Sequence, residues 1–94
     1  MKKILLLKEI NLNLDELKAI KIKLDKIKTE GDKYITEKQV IKLIGDVEEC
    51  EKVLKFSKEI DNIESYESDI HDYSKYINRL KRFFKTINSN LVNS

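Results

Sequence analysis

Apolar positions are most regular in the last third of the chain. Between residues 63 and 91 they recur at alternating spacings of three and four. The members of this stripe are Ile63, Tyr66, Ile70, Tyr73, Ile77, Leu80, Phe84, Ile87 and Leu91. This is the heptad seam of a coiled-coil or bundle helix. The pattern predicts a helix over roughly 66–88 whose seam packs against other helices.

A second helix is predicted over residues 36–60. Its apolar stripe consists of Val40, Leu43, Val47, Cys50 and Leu54. The stripe stays in register across Gly45, which favours one continuous helix even though a glycine there costs about 1 kcal/mol relative to alanine. Thr36 and Gln39 match a capping box, with Ile35 and Val40 as a hydrophobic staple. These residues predict a helix start near Thr36.

The first region, residues 2–30, also has a helical stripe, but its start is ambiguous. The stripe consists of Leu14, Leu17, Ile20, Leu24 and Ile27, and Leu7 and Ile10 extend it backwards. Asn13 and Glu16 match a second capping box, with Leu12 and Leu17 as its staple. The prediction is therefore a helix over 2–30 that either continues throughout or breaks near 11–13, leaving a short extra N-terminal segment.

A β-hairpin is the competing interpretation of this first region. Residues 20–24 alternate between apolar and polar like a strand, and residues 29–32 suit a turn. The longer window fits the helical period better, so we favour the helix.

The end of the second helix decides between two architectures. Asp61 and Asn62 are weak helix formers and predict a turn within 61–68. That turn gives an all-α, antiparallel three-helix bundle and a single domain over 1–94. If Phe56 and its apolar neighbours instead carried the helix onward, a helical hairpin with one rod of about 80 Å would have to dimerise as a coiled coil. We favour the bundle.

Composition supports helices over sheets. The chain has no proline and two glycines, whereas β-sandwiches and barrels need many tight turns. Cys50 is its only cysteine, so no intramolecular disulfide can form. The apolar run at residues 4–7 is too short for a secretory signal, and no stretch approaches the roughly 20 apolar residues of a membrane span. We therefore expect a cytoplasmic protein.

Charge is unevenly distributed along the sequence. The net charge is +4 over residues 1–45, −7 over residues 46–72 and +5 over residues 73–94. Such an alternation predicts complementary flanks within a bundle, or antiparallel pairing between chains.

Candidate catalytic and metal-binding residues are few. His71 shares a helix face with Glu64 and Glu67, but zinc sites usually draw on several histidines or cysteines. We expect a partly exposed histidine with a raised pKa. Cys50 stands among acidic neighbours that disfavour a thiolate, and we expect it in the core. No phosphate-binding loop is present in the sequence. The expectation is no metal, no cofactor and no enzymatic activity.

The basic C-terminal helix is the most suggestive surface. The candidate binding residues are Lys75, Tyr76, Arg79, Lys81, Arg82, Phe83 and Lys85. Three of its cations, Lys75, Arg79 and Arg82, recur on one helix face, and Lys81 and Lys85 add a flanking pair. Its two aromatic residues lie off the apolar seam. Such a surface suits an acidic protein partner or the backbone and bases of a nucleic acid. A membrane surface is a less favoured target, and a solvated face is the simplest account.

The leading hypothesis is a non-enzymatic protein that binds another protein and regulates or inhibits it. In size, charge and helicity the chain is similar to bacteriocin immunity proteins and to phage- or plasmid-encoded regulators, with no shared residue motif. The alternatives are a nucleic-acid-binding accessory protein that uses the same basic helix, and a structural coiled-coil homodimer.

Overall fold

The computed structural model describes the backbone of residues 2–93 and the side chains of residues 2–86. Within that part, the helices are α1 (Lys2–Glu30), α2 (Glu37–Glu59) and α3 (Glu67–Asn93), and a short 3₁₀ helix (Ile63–Tyr66) leads into α3. They pack into a bundle with extents of 47, 22 and 17 Å. The predicted all-α three-helix bundle is confirmed.

α1 and α3 run parallel, and α2 runs antiparallel to both. Ion pairs between α1 and α3 occur in the same order along both helices, since Lys2 pairs with Glu67 and Glu16 pairs with Lys81. The chain reverses through the loop at residues 31–36 and again through the segment that follows α2. This topology needs only short connections, which suits neighbouring antiparallel helices.

The core is one cluster of apolar side chains from all three helices and the 3₁₀ helix. Its buried members are Leu6, Ile10, Leu17, Ile20, Leu24, Ile35, Val40, Val47, Cys50, Leu54, Ile63, Ile70, Ile77, Leu80 and Phe84. The stripes predicted for the second and third helices supply most of these positions. Tyr66 departs from its stripe because it is exposed. Ile87 and Leu91 lie outside the described side chains.

α1 is continuous from Lys2 to Glu30, so the first of the two alternatives for this region is confirmed and the break near 11–13 is wrong. Asn13 is not an N-cap: it is 8% exposed in the middle of the helix, and its Nδ2 donates to Ser74 Oγ at 2.7 Å. The proposed staple fails too, since Leu12 is 66% exposed while Leu17 is buried. The hairpin alternative is also wrong, because residues 20–30 are helical.

The loop between α1 and α2 is fixed by local hydrogen bonds. Gly31 has a φ of 81°, and its N–H donates to the Ile27 carbonyl at 2.7 Å, an arrangement that ends many helices. The predicted capping box at Thr36 and Gln39 is confirmed in both directions. Its staple residues, Ile35 and Val40, are both buried.

The turn predicted within 61–68 is confirmed, and the single long helix is wrong. α2 crosses Gly45 without a break and ends at Glu59. Ile60 then has an extended backbone, and α3 begins at Glu67. Phe56, whose apolar side chain suggested a continuing stripe, lies largely in solvent. The described part of the α3 seam, from Ile63 to Phe84, is therefore covered within the same chain, mainly by α1.

A candidate partner-binding face on α3

Four basic residues form an exposed surface on α3, here called the cationic face. They are Lys75, Arg79, Arg82 and Lys85, and all four are exposed. The spacings of four, three and three place them along one side of the helix. Within the described side chains, none of them forms an ion pair with an acidic residue. The face therefore presents charge that the bundle itself does not neutralise.

The pairing of the other segments explains why this charge remains. The acidic middle segment pairs with the first segment, through Lys2–Glu67 at 2.8 Å and Lys21–Glu51 at 3.5 Å. The predicted charge complementarity between segments of the chain thus occurs within one bundle. It joins α1 to the acidic segment and leaves most cations of α3 without described partners.

Lys81 is the exception among the α3 cations. Its Nζ lies 2.9 Å from Glu16 Oε1 on α1. This pair is partly exposed, so it contributes little to stability. It does direct the Lys81 ammonium toward α1, so the structure places Lys81 outside the cationic face.

Tyr76 also differs from its expected position. Although it lies off the seam, its ring packs against the core, and its hydroxyl is buried with no hydrogen-bond partner in the described part of the chain. Burial raises the pKa of Tyr76, and Asp46 raises it further. A ring held in this way cannot stack on an external base. The seam identified the centre of the α3 face that packs inward, but burial extends beyond it to Tyr76, whose ring lies near Asp46 and Cys50 of α2.

Phe83 remains at the surface beside the cations. Its ring is 43% exposed and meets Phe84 edge to face, with centroids 5.7 Å apart and planes at 65°. Phe84 is buried, and Lys23 Nζ lies 5.9 Å from its ring centroid. An anchored ring with an exposed edge is the kind of apolar contact that centres a protein interface.

A second polar cluster joins α1 to the start of α3. His71 Nδ1 lies 2.7 Å from Glu9 Oε2, and His71 Nε2 lies 3.4 Å from Glu67 Oε1. The hydrogen bond with Glu9 is the main cause that raises the pKa of His71, as expected from the sequence. Glu64 was grouped with this histidine in the sequence, whereas Glu9, 62 positions away, was not. No spacing rule reaches so far along the chain.

Neither the histidine cluster nor the cysteine forms a recognisable reactive site. In the described part of the chain, no group of three or more His, Cys, Asp or Glu side chains is placed to hold a metal ion. Cys50 is 2% exposed, and burial raises the pKa of its thiol to about 11. The expected core position of Cys50 is confirmed. Its protonated thiol is a poor nucleophile at neutral pH.

Two further observations concern the chain as a whole. Among the helices that the structure describes, none is long and apolar enough to cross a membrane. Searches against protein-family models, curated proteins and solved structures found no match to this chain.

Proposed function

We propose that this is a non-enzymatic cytoplasmic protein that docks its cationic face on an acidic surface of another protein, and thereby regulates or inhibits that partner. The observation that carries the proposal is the set of exposed cations on α3 without ionic partners among the described side chains, beside the exposed ring of Phe83. Arginine and aromatic side chains dominate the energetics of protein interfaces.

The dimensions of the face favour a small, electrostatically guided interface. From Lys75 to Lys85 the helix rises about 15 Å. A helix face of that length covers less area than a standard interface, which buries about 800 Å² on each partner. Complementary charge mainly raises the association rate and selects the partner. The apolar contribution would come from Phe83, so we expect charge and ring to act together.

Nucleic acid is the second candidate, since cations beside an exposed ring also suit a phosphate backbone and a stacked base. The position of Tyr76 weakens it. With that ring packed against the core, Phe83 is the remaining aromatic platform among the candidate residues. A net charge of +2 for the chain is also small for a dedicated nucleic-acid-binding domain.

The test compares charge reversal on the face with an equal reversal elsewhere. The face variant is Arg79→Glu/Arg82→Glu, and the control is Lys38→Glu/Lys52→Glu, which changes two exposed lysines of α2. A partner is first captured by cross-linking in a lysate of the source organism, then purified and titrated with each variant. We expect the face variant to weaken binding at least about tenfold and the control less than about twofold.

The same variants separate the two candidates. Titration with single-stranded and duplex oligonucleotides at two salt concentrations should show no binding if the partner is a protein. Binding that weakens steeply with salt and disappears in the face variant would support nucleic acid instead. Equal losses in the face and control variants would contradict both, because they would reflect net charge alone.

A further inference from the structure

α1 has an apolar face that no side chain in the described part of the bundle covers. Four large apolar side chains on this helix are between 54% and 66% exposed, namely Ile4, Leu5, Leu12 and Ile22. The opposite side of α1 carries its core residues. The helix is therefore apolar on two sides, while a helix at the surface of a monomeric bundle needs only one apolar stripe.

The exposed residues follow a heptad spacing of their own, here called the outer seam. Its members are Leu5, Lys8, Leu12, Asp15, Ala19 and Ile22, all of them exposed. Alternating steps of three and four are the signature of a helix that packs along its length on one other helix. The seam rises about 26 Å, or about two and a half heptads.

The order of residues along the outer seam indicates what would cover it. On either side of Leu12 the seam positions recur at nearly equal distances, and the two charged members have opposite signs. Leu5 and Ala19 lie at equal distances from Leu12, and Lys8 and Asp15 are nearly symmetric about it. A face with this symmetry fits a second copy of itself turned end over end, as in a two-fold interface.

Charge decides the direction of the pairing. In an antiparallel pair centred on Leu12, Lys8 of each copy faces Asp15 of the other, which gives two complementary contacts. In a parallel pair, Lys8 would face Lys8 and Asp15 would face Asp15, and like charges across a seam are destabilising. Neither residue forms an ion pair with another described side chain, so both are available.

We propose that the protein self-associates through the outer seam of α1, as an antiparallel, two-fold symmetric dimer. The seam predicted from residues 63–91 cannot serve this purpose, because its described members from Ile70 to Phe84 pack within the chain. A helical face about 26 Å long and about 10 Å wide covers about 260 Å² on each copy, well below the roughly 800 Å² per partner of a standard interface. The dimer is therefore expected to be weak, with a dissociation constant in the micromolar range or above.

Sedimentation equilibrium tests this proposal directly. Between about 1 μM and about 500 μM, a range suited to a small interface, the mass of the chain should rise from 11.1 kDa toward twice that value. Leu12→Glu should weaken the dimer at least about tenfold, because it buries two like charges at the centre. The control Ile41→Glu alters an equally apolar exposed residue of α2 and should leave the dissociation constant unchanged.

A charge swap tests the antiparallel direction. Lys8→Asp and Asp15→Lys should each weaken the dimer, and the double variant Lys8→Asp/Asp15→Lys should restore it. A mass of 11.1 kDa at every concentration would overturn the proposal. So would equal effects of Leu12→Glu and Ile41→Glu, or a double variant no tighter than the singles. Circular dichroism melting of each variant verifies that the bundle is folded.

Discussion

Asn13 is a polar residue on the inner side of α1. Its hydrogen bond to Ser74, which lies 61 positions further along the sequence, joins α1 to α3. A buried amide costs free energy unless it is paired. Ser74 Oγ also bonds to the Ile70 carbonyl at 3.3 Å, so the pair is integrated into the backbone of α3. This arrangement favours one register of α1 against α3.

Removal of that amide should destabilise the bundle. Asn13→Ala is expected to lower the free energy of unfolding by about 1–2 kcal/mol, because the hydrogen bond and some packing are lost. Urea denaturation followed by circular dichroism measures the change. In a double-mutant cycle with Ser74→Ala, the two losses should not add. Full additivity would show that the two side chains act independently.

Removal of the Tyr76 hydroxyl, unlike removal of the Asn13 amide, should not destabilise the bundle. Since it is buried with no described partner, Tyr76→Phe removes a desolvated polar atom and keeps the packed ring. The free energy of unfolding should stay the same or rise by about 1 kcal/mol, as measured by urea denaturation. Tyr73→Phe, on the same helix, provides a comparison. A loss of more than about 1 kcal/mol in Tyr76→Phe would mean that the hydroxyl is in fact hydrogen-bonded.

His71 should make stability depend on pH. Because its pKa is raised in the folded state above the ordinary value of 6.5, its stabilising effect is complete below that value and is lost as pH rises through the raised pKa. The melting temperature should therefore fall as the pH rises from below 6.5 through the raised pKa of His71. His71→Gln should reduce this fall, and Asn78→Gln should leave it unchanged. An identical fall in the wild type and in His71→Gln would exclude His71 as its source.

At the scale of elements, the two capping boxes show what local sequence can and cannot predict. Thr36 and Gln39 form both hydrogen bonds of the capping box within four residues, so the local sequence was sufficient to predict this helix start. Asn13 had the same local pattern, but its partner is Ser74 on another helix. A continuous α1 gains core burial at Leu6 and Ile10, which a break near 11–13 would weaken.

The candidate surface on α3 could also be predicted only in part from local sequence. The seam located the buried side of the helix, and Arg79, Arg82 and Phe83 are at the surface, as the sequence suggested. Tyr76 and Lys81 lie on the flanks of that seam, where contact with α2 and α1 decides their positions. Their neighbours come from elements distant in sequence, so periodicity within α3 could not assign them.

The two glycines should respond in opposite ways to the same substitution. Gly31→Ala is expected to lower the free energy of unfolding by about 1 kcal/mol, because a φ of 81° is unfavourable for alanine even where a Cβ has space. Gly45→Ala should raise it by about 1 kcal/mol, since that position is helical and open. Urea denaturation of both variants measures the difference. The same sign in both would contradict the helix end at Gly31.

At the scale of the whole molecule, the two proposed surfaces lie on different helices, and neither needs the other. A dimer through the outer seam of α1 would carry two cationic faces on one particle. Two linked faces bind a repeated or dimeric acidic partner more tightly than one, without any new contact. Leu12→Glu should then weaken binding to such a partner while leaving each single cationic face intact.

The parallel arrangement of α1 and α3 also has a consequence for biosynthesis. The polar contacts between these helices span 61 to 65 positions, so α1 cannot complete its packing until α3 has been made. At about 5–20 residues per second, the 27 residues of α3 take about 1–5 s to synthesise. During those seconds the nascent α1–α2 pair leaves part of the inner side of α1 uncovered. Slower synthesis of α3 would prolong that exposure.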